Sequence, residues 1–175
     1  MQNSSRFLEV GCGSKKAEGA IGMDVFPYPG VDVVHNIDEC PWPFEESHFE
    51  KVYARHVIEH VNSIADFFRE IHRISRPGAE VLIETPHFTS LDSYADPTHR
   101  WHLSTNFAEV VTKGGYLAEQ TGEFEIVHLH LSFGSLLKSW RARLIVAILG
   151  LNYWERNHSF RFRARNIYLV LRVIK

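Results

Sequence analysis

Cysteine is scarce in this chain of 175 residues, which contains only Cys12 and Cys40. The two lie far apart, and Cys12 stands inside a glycine-rich turn, so they fit neither a disulfide framework nor the paired spacing of a zinc site. We therefore predict two free thiols. This excludes the class of small domains that depend on disulfide bonds for stability.

Long apolar stretches are also missing. Residues 1–6 contain no apolar run of the kind found in a secretion signal, which predicts a cytoplasmic protein. The apolar stretch at residues 144–149 is too short to cross a bilayer, which takes about 20 residues. No internal repeat or low-complexity linker divides the chain, and its hydrophobic content of 45% suffices for one packed core. We expect a single domain over residues 1–175.

Short apolar runs recur along the first half of the chain and predict strands at residues 7–10, 20–25, 31–35, 52–54 and 80–85. Residues 61–75 repeat apolar side chains at steps of three and four, which predicts a helix, and a second helix is predicted at 105–114. Later strands are predicted at 124–131 and 167–174. Strands that alternate with helices form a mostly parallel sheet. We expect the two later strands to add an antiparallel hairpin at one edge.

The most informative segment is residues 8–13, where an apolar run leads into an acidic residue and then Gly-x-Gly. Gly11 and Gly13 allow a positive φ and let a ligand approach the main chain without a Cβ in the way. Asp24 ends the second apolar run, at a position where an acidic side chain can bind the hydroxyls of a ribose. Together these features predict the binding of an adenosine-like cofactor.

Residues 8–13 resemble motif I of the class I S-adenosylmethionine (SAM)-dependent methyltransferases, in which an acidic residue precedes Gly-x-Gly. The resemblance is to the compact, type 11-like form and continues in order through residues 21–25, 36–44, 49–61, 71–79 and 81–87. Residues 88–166 match only loosely. The resemblance implies an α/β fold, the Rossmann-like class I methyltransferase sandwich. It also implies SAM as the cofactor and S-adenosylhomocysteine as its product.

The resemblance further implies how SAM would be held. The glycine turn would border its methionine part, Asp24 would hold the ribose hydroxyls, and Asp38 would accept a hydrogen bond from the adenine amino group. Carboxylates suit such donors. The end of the fourth strand would close the pocket below the sulfonium. The implied cofactor-binding residues are Glu9, Gly11, Cys12, Gly13, Asp24, Val25, Ile37, Asp38 and Arg55.

Two features depart from this family. The segment at residues 14–19 is short and polar, so the usual helix after the first strand is expected to be missing or reduced to one turn. Lys15 replaces the third glycine of the family pattern. Both changes reduce the contact that the turn can make with a cofactor.

A binding site for NAD is the rival interpretation of the glycine turn. That site requires Gly-x-Gly-x-x-Gly at the start of a full helix, which receives the pyrophosphate. Lys16 stands where the third glycine of that pattern belongs. The sequence therefore favours SAM.

Residues 56–60 match the His-x-x-Glu-His pattern of the inverted zinc proteases, in which two histidines one helical turn apart face a metal. The pentapeptide falls where a methyltransferase begins its fourth helix, and no third ligand follows at helical spacing. We therefore predict no metal site, and a packing or capping role for His60.

The loop after the fifth strand is rich in histidine, aspartate and aromatic residues. Ligands of open α/β sheets bind outside the carboxyl ends of the strands, so residues 88–105 are predicted to line the acceptor side. Methyl transfer depends mainly on positioning, with a base only where the nucleophile must lose a proton. The candidates for that base are His56, His87, Asp96 and His99, each of which is equally suited to a structural role.

Charge is divided unevenly along the chain. Residues 131–175 hold nine of the 19 lysines and arginines and one acidic residue, Glu155. Within them, residues 134–165 form an insertion in which basic and aromatic residues alternate, a pattern that suits phosphate, carboxylate or a lipid interface. Packing of this insertion against the acidic body explains the asymmetry equally well. The basic residues of the insertion are Lys138, Arg141, Arg143, Arg156, Arg161, Arg163 and Arg165.

The resemblance implies a SAM-dependent methyltransferase, and the basic insertion predicts that it acts on an anionic acceptor, either a small molecule or a sugar- or lipid-linked intermediate. A nucleic acid is disfavoured because the rest of the chain is acidic. Residues 134–154 pack on the sheet, on a membrane surface or on a second copy. The alternative function is a SAM- or S-adenosylhomocysteine-binding module without transferase activity, acting as a partner or regulatory domain.

Overall fold

A computed structural model describes residues 5–112 and 114–175, except for the side chains of residues 136–138. In this part of the chain the strands are β1 (Phe7–Val10), β2 (Ile21–Asp24), β3 (Val33–Val34), β4 (Phe49–Arg55), β5 (Ser75–Pro86), β6 (Glu123–Leu131) and β7 (Asn166–Ile174). The helices are α1 (Ile64–Ile74), α2 (Asp92–Ala95), α3 (Phe107–Val111), α4 (Ala118–Thr121), α5 (Leu136–Leu149) and α6 (Leu151–His158).

The strands form a seven-stranded sheet in the order β3-β2-β1-β4-β5-β7-β6. β1 to β5 are mutually parallel, whereas β7 is antiparallel to both of its neighbours. Val10 pairs with Met23 of β2 and with Ala54 of β4, so these three strands end together at one edge of the sheet. The predicted fold class, including the antiparallel hairpin at one edge, is confirmed.

The core is a continuous apolar layer across the sheet. Leu8, Val52, Val81 and Leu171 pair with one another in register across four strands, and none of them is exposed to solvent. Strands of parallel sheets are buried on both faces, which explains why these segments appear in the sequence as short apolar runs. The core therefore fixes the ends of the strands, where ligands bind in such sheets.

The helix predicted at 61–75 begins later, at Ile64, because Ser63 caps it: its hydroxyl accepts a hydrogen bond from the Asp66 N–H at 3.1 Å. The helix predicted at 105–114 is shorter, since α3 ends at Val111. Lys113 of that prediction lies outside the described residues.

The usual helix after β1 is missing, as predicted: residues 11–20, all of them described, form turns and irregular backbone. Hydrogen bonds hold this short connection in place of a helix. Gly11 N and Cys12 N donate to the Met23 carbonyl at 2.8 and 3.2 Å, and Ala17 N donates to the Glu9 carboxylate. The turn is therefore attached to both β1 and β2.

The segment 134–154 contains α5 and the first four residues of α6, and the two helices meet at Gly150, whose φ is +84°. Trp154 is completely buried and packs edge-on against Phe133, with ring centroids 5.1 Å apart. Trp140 and Ile148 of α5 are instead more than half exposed. Among the described residues, no helix has the length and apolar character needed to span a membrane.

Candidate active site

A cleft of about 550 Å³ opens at the edge of the sheet where β1, β2 and β4 end. We call it the main cleft. Its volume is typical of small-molecule sites. Its lining includes the predicted cofactor residues Gly11, Asp24, Val25, Ile37 and Asp38. It also includes two of the predicted catalytic residues, His56 and Asp96.

Asp24 and the glycine turn are joined directly. The Gly13 N–H donates to Asp24 Oδ2 at 2.8 Å, and the Phe26 N–H donates to Oδ1 at 3.0 Å. Gly11 and Gly13 both have positive φ, and a Cβ at Gly11 would collide with the side chain of Val57. The turn therefore requires glycine, and it brings a buried carboxylate to the wall of the main cleft.

The far wall of the main cleft is formed by residues 36–38. The Trp42 indole N–H donates to the Ile37 carbonyl at 2.9 Å, and Trp42 is almost completely buried. Asp38 Oδ1 accepts from the Asn62 N–H at 2.8 Å. These bonds anchor an apolar side chain and a carboxylate side by side, an arrangement that suits a heterocycle with an exocyclic amine.

Four of the predicted cofactor residues, all within the described part, stand outside this lining: Glu9, Cys12, Gly13 and Arg55. Glu9 is buried, holds the turn through Ala17 and lies 3.6 Å from the Arg55 guanidinium. Burial and the neighbouring carboxylates of Asp24 and Glu9 raise the pKa of the Cys12 thiol. Cys12 and Cys40 are free thiols, as predicted.

Comparisons with known proteins agree with this geometry. A family model described as a methyltransferase domain matches residues 2–121. The chain belongs to the methyltransferase domain family. A relative from Mycolicibacterium smegmatis, named a probable S-adenosylmethionine-dependent methyltransferase, is 30% identical over an alignment of 137 residues, and the match covers 65% of this chain. This chain spans about half of that relative, 52% of its length.

Solved structures show the same fold. A SAM-dependent methyltransferase from Archaeoglobus fulgidus has a TM-score of 0.67 and 17% identity, and covers 96% of this chain and 86% of its own. One from Mesorhizobium loti has a TM-score of 0.62 and 15% identity, with coverages of 98% and 93%. The resemblance to class I methyltransferases is thereby confirmed, and SAM is the cofactor of the family.

His56 lines the main cleft and two neighbouring clefts of this methyltransferase domain. It follows β4 with a φ of +54°, a left-handed conformation that a non-glycine residue adopts at a cost of about 1–3 kcal/mol and that clusters at functional sites. Its Nδ1–H donates to Glu59 at 3.2 Å, and its Nε2 lies 3.7 Å from Glu84. The hydrogen bond with Glu59 raises the pKa of His56, and the Glu84 carboxylate adds to the rise, although burial opposes it.

A second cleft, of about 670 Å³, shares His56 with the main cleft. We call it the polar cleft. Glu84 at its base accepts hydrogen bonds from the Tyr168 hydroxyl at 2.8 Å and the Asn166 amide at 2.7 Å. Arg55 and Arg165 also line it. The sequence motifs missed Glu84, Asn166 and Tyr168, because these residues meet through the antiparallel pairing of β5 with β7.

A third cleft, of about 550 Å³, lies beside the main cleft, and we call it the side cleft. Asp96 lines both, and its hydrogen bonds from Thr98 hold the pKa of its carboxyl below the ordinary value. His99 lines the side cleft, and its Nδ1–H donates to the Ser93 carbonyl at 3.0 Å. Two predicted catalytic residues are thus at the main cleft and a third is beside it.

His87 differs from the other three. It is completely buried, its Nε2–H donates to Glu155 at 2.7 Å, and its Nδ1 accepts from the Thr89 N–H at 3.2 Å. Thr105 also donates to Glu155, through its N–H at 2.8 Å. The prediction that His87 faces the acceptor needs correction, since this histidine connects the end of β5 to α6 inside the domain.

Proposed function

We propose that this chain binds SAM in the main cleft and transfers its methyl group to a small anionic acceptor held in the polar cleft. One observation carries the proposal: His56 lines both clefts, so the two ligands would meet at this residue. SAM supplies a methyl group on a sulfonium, and the residues of this chain position the acceptor against it.

The main cleft fits SAM by its chemistry. The Asp24 carboxylate is fixed by Gly13 and offers acceptors to a ribose diol. Asp38 and Ile37 offer an acceptor and an apolar face to adenine. Gly11 leaves the main chain accessible at the cleft wall.

The polar cleft favours an anionic acceptor. Arg55 and Arg165 both line it with partly exposed guanidinium groups, which match phosphate and carboxylate oxygens. Glu84 is nearly buried and already holds two hydrogen bonds from β7, so it orients this wall. Where the acceptor nucleophile carries a proton, we assign its removal to His56, the titratable group shared by the two clefts.

The basic insertion supports a lipid-linked or sugar-linked acceptor over nucleic acid. Residues 132–135 and Arg165, which flank α5 and α6, form one side of the polar cleft. On α5, Trp140, Leu144 and Ile148 expose apolar surface next to arginines. Apolar and cationic side chains together suit the interface of an anionic lipid. Packing on the sheet and pairing of two copies are the other arrangements predicted from the sequence for residues 134–154.

The proposal is tested by incubating the protein with SAM and a panel of phosphorylated or carboxylated compounds, each beside its uncharged analogue, while S-adenosylhomocysteine is quantified. We expect product with an anionic compound, and a loss of at least tenfold in kcat/KM for Arg165→Gln. Arg172→Gln, which removes an exposed arginine from another part of the sheet, is the matched control.

Two outcomes would overturn this proposal. Binding of SAM without turnover of any acceptor would favour the binding-module alternative. Equal turnover of charged and uncharged compounds would exclude the anionic acceptor.

A further inference from the structure

A cluster of possible metal ligands lies between the main cleft and the side cleft. Glu59, His60 and His99 each offer a ligand atom, and these atoms all lie within 4.8 Å of one another. Glu59 and His60 belong to the turn after β4, whereas His99 comes from the loop after α2. The sequence predicted no metal site because no third ligand followed His60 at helical spacing. The structure brings His99, a third candidate ligand, to His60 from a distant segment.

Hydrogen bonds set both histidines in the form that binds a metal. The Thr98 hydroxyl donates to Asp96 at 2.7 Å, so its oxygen accepts from His60 Nδ1–H at 3.0 Å. His99 Nδ1–H donates to a backbone carbonyl, that of Ser93. With Nδ1 protonated in both rings, each Nε2 keeps its lone pair. Partners of this kind orient the imidazoles of metal sites.

The carboxylate of the cluster is also held in place. Glu59 is almost completely buried, and its Oε2 accepts from the Thr85 hydroxyl at 3.0 Å while Oε1 accepts from His56. The Glu59 carbonyl accepts from the Arg100 N–H at 2.8 Å, which ties the turn after β4 to the loop that carries His99. A carboxylate oxygen has two lone pairs, so these bonds leave positions for a cation.

We propose that Glu59, His60 and His99 bind a divalent transition-metal ion at the junction of the main cleft and the side cleft. Two imidazoles and one carboxylate are a donor set that suits zinc and neighbouring metals and leaves positions open for another ligand. His60 lines both clefts, so the open positions would face a ligand bound in either of them. The metal site stands on this geometry alone and does not depend on the proposed function.

Zinc chloride is the probe for this site. Untagged protein, stripped with a chelator and titrated by calorimetry, should bind one zinc ion, and cobalt should give the visible absorption of a nitrogen and oxygen site. His99→Ala should weaken zinc binding at least tenfold, and Thr98→Val should weaken it through the lost orientation of His60. His128→Ala is the matched control, since His128 is exposed on an edge strand and should leave zinc binding unchanged.

The variants must first give the circular dichroism spectrum and thermal transition of the wild type, and Thr98→Val keeps the test open where His99→Ala fails to fold. Wild-type protein without stoichiometric zinc, or a folded His99→Ala that binds zinc as tightly as wild type, would overturn the metal site. A SAM titration on the same samples separates the two proposals. A protein that binds zinc but not SAM would contradict the proposed function and leave the metal site intact.

Discussion

Asp24 accepts a hydrogen bond from the backbone N–H of Gly13 at 2.8 Å, although Asp24 is the last residue of β2 and Gly13 lies in the turn after β1. The bond joins the turn after β1 to the end of β2 without the helix that normally separates them. It also holds the carboxylate at the wall of the main cleft with 8% of the residue exposed. The carboxylate that we propose as the hydrogen-bond acceptor for the ribose is therefore fixed before any ligand binds.

Replacement of Asp24 by alanine should weaken SAM binding by about 1.5–3 kcal/mol, or roughly 10- to 150-fold in Kd, because a charged hydrogen-bond acceptor is lost. Asp24→Asn should have a smaller effect, since it keeps one acceptor oxygen. Calorimetry with SAM measures both, and Glu125→Gln on an edge strand is the control. Wild-type affinity in a folded Asp24→Ala would contradict the assignment.

The glycine turn gives a second prediction, which concerns stability. Gly11→Ala should lower the free energy of unfolding by about 2–4 kcal/mol, since alanine at positive φ costs about 1–2 kcal/mol and contact with Val57 adds about 1–2 kcal/mol. Gly13 has a similar φ, but a Cβ there would meet open space. Gly13→Ala should therefore cost only the penalty for alanine at positive φ, about 1–2 kcal/mol.

Urea denaturation measures these changes. Val57→Ala combined with Gly11→Ala should recover part of the loss, because it removes the methyl groups that the new Cβ would meet. If Gly11→Ala were no less stable than Gly13→Ala, the steric argument would fail.

The features that could be predicted from the sequence are local ones. Gly11 and Asp24 were found because a turn and the end of a strand leave a signal within a few residues. Glu84 and Tyr168 meet only through the register of β5 with β7, and His60 and His99 meet only through the packing of two loops. Sequence spacing carries no record of such contacts. The error at His87 has the same origin, since nothing near it shows that Glu155 lies opposite.

The buried pair of His87 and Glu155 gives a prediction about acid stability. Burial favours the neutral carboxyl, but hydrogen bonds from His87 and Thr105 outweigh it and hold the pKa of Glu155 below the ordinary value. Glu155→Gln should therefore cost about 2–4 kcal/mol at neutral pH.

The sign of the pH dependence follows from the lowered pKa. The unfolded chain binds the proton of Glu155 at a higher pH than the folded chain, so this stabilisation is complete above about pH 5 and is lost as the pH falls through the lowered value. Unfolding curves from pH 7 to pH 3 should show wild type and Glu155→Gln converging in acid. Glu125→Gln changes an exposed carboxylate and should lose no comparable free energy of unfolding at pH 7. A difference in the free energy of unfolding between wild type and Glu155→Gln that stays constant at every pH would exclude this mechanism.

The basic insertion gives the last prediction. Arg161 and Arg163 are exposed beside Phe160, which is 81% exposed, and the side chain of Lys138 from the same predicted set lies outside the described residues. If this face meets an anionic lipid carrying the acceptor, vesicles containing phosphatidylserine should bind the protein and neutral phosphatidylcholine vesicles should not. Each arginine near such a surface contributes about 1 kcal/mol, so Arg161→Ala/Arg163→Ala should weaken binding roughly 30-fold.

Salt and charge controls decide whether that binding is specific to the insertion. High salt should weaken vesicle binding by screening, and Arg69→Ala/Arg76→Ala, which removes two positive charges from outside residues 134–165, should leave it nearly unchanged. Phosphorylated sugars and RNA are tested in parallel. If only one of them binds in a salt-sensitive way and the vesicles do not, that compound is the ligand of the insertion in place of the lipid. If the Arg161→Ala/Arg163→Ala variant binds vesicles as tightly as wild type, the insertion does not bind the lipid. Its arginines would then serve only to pack against the acidic remainder of the domain and balance its charge.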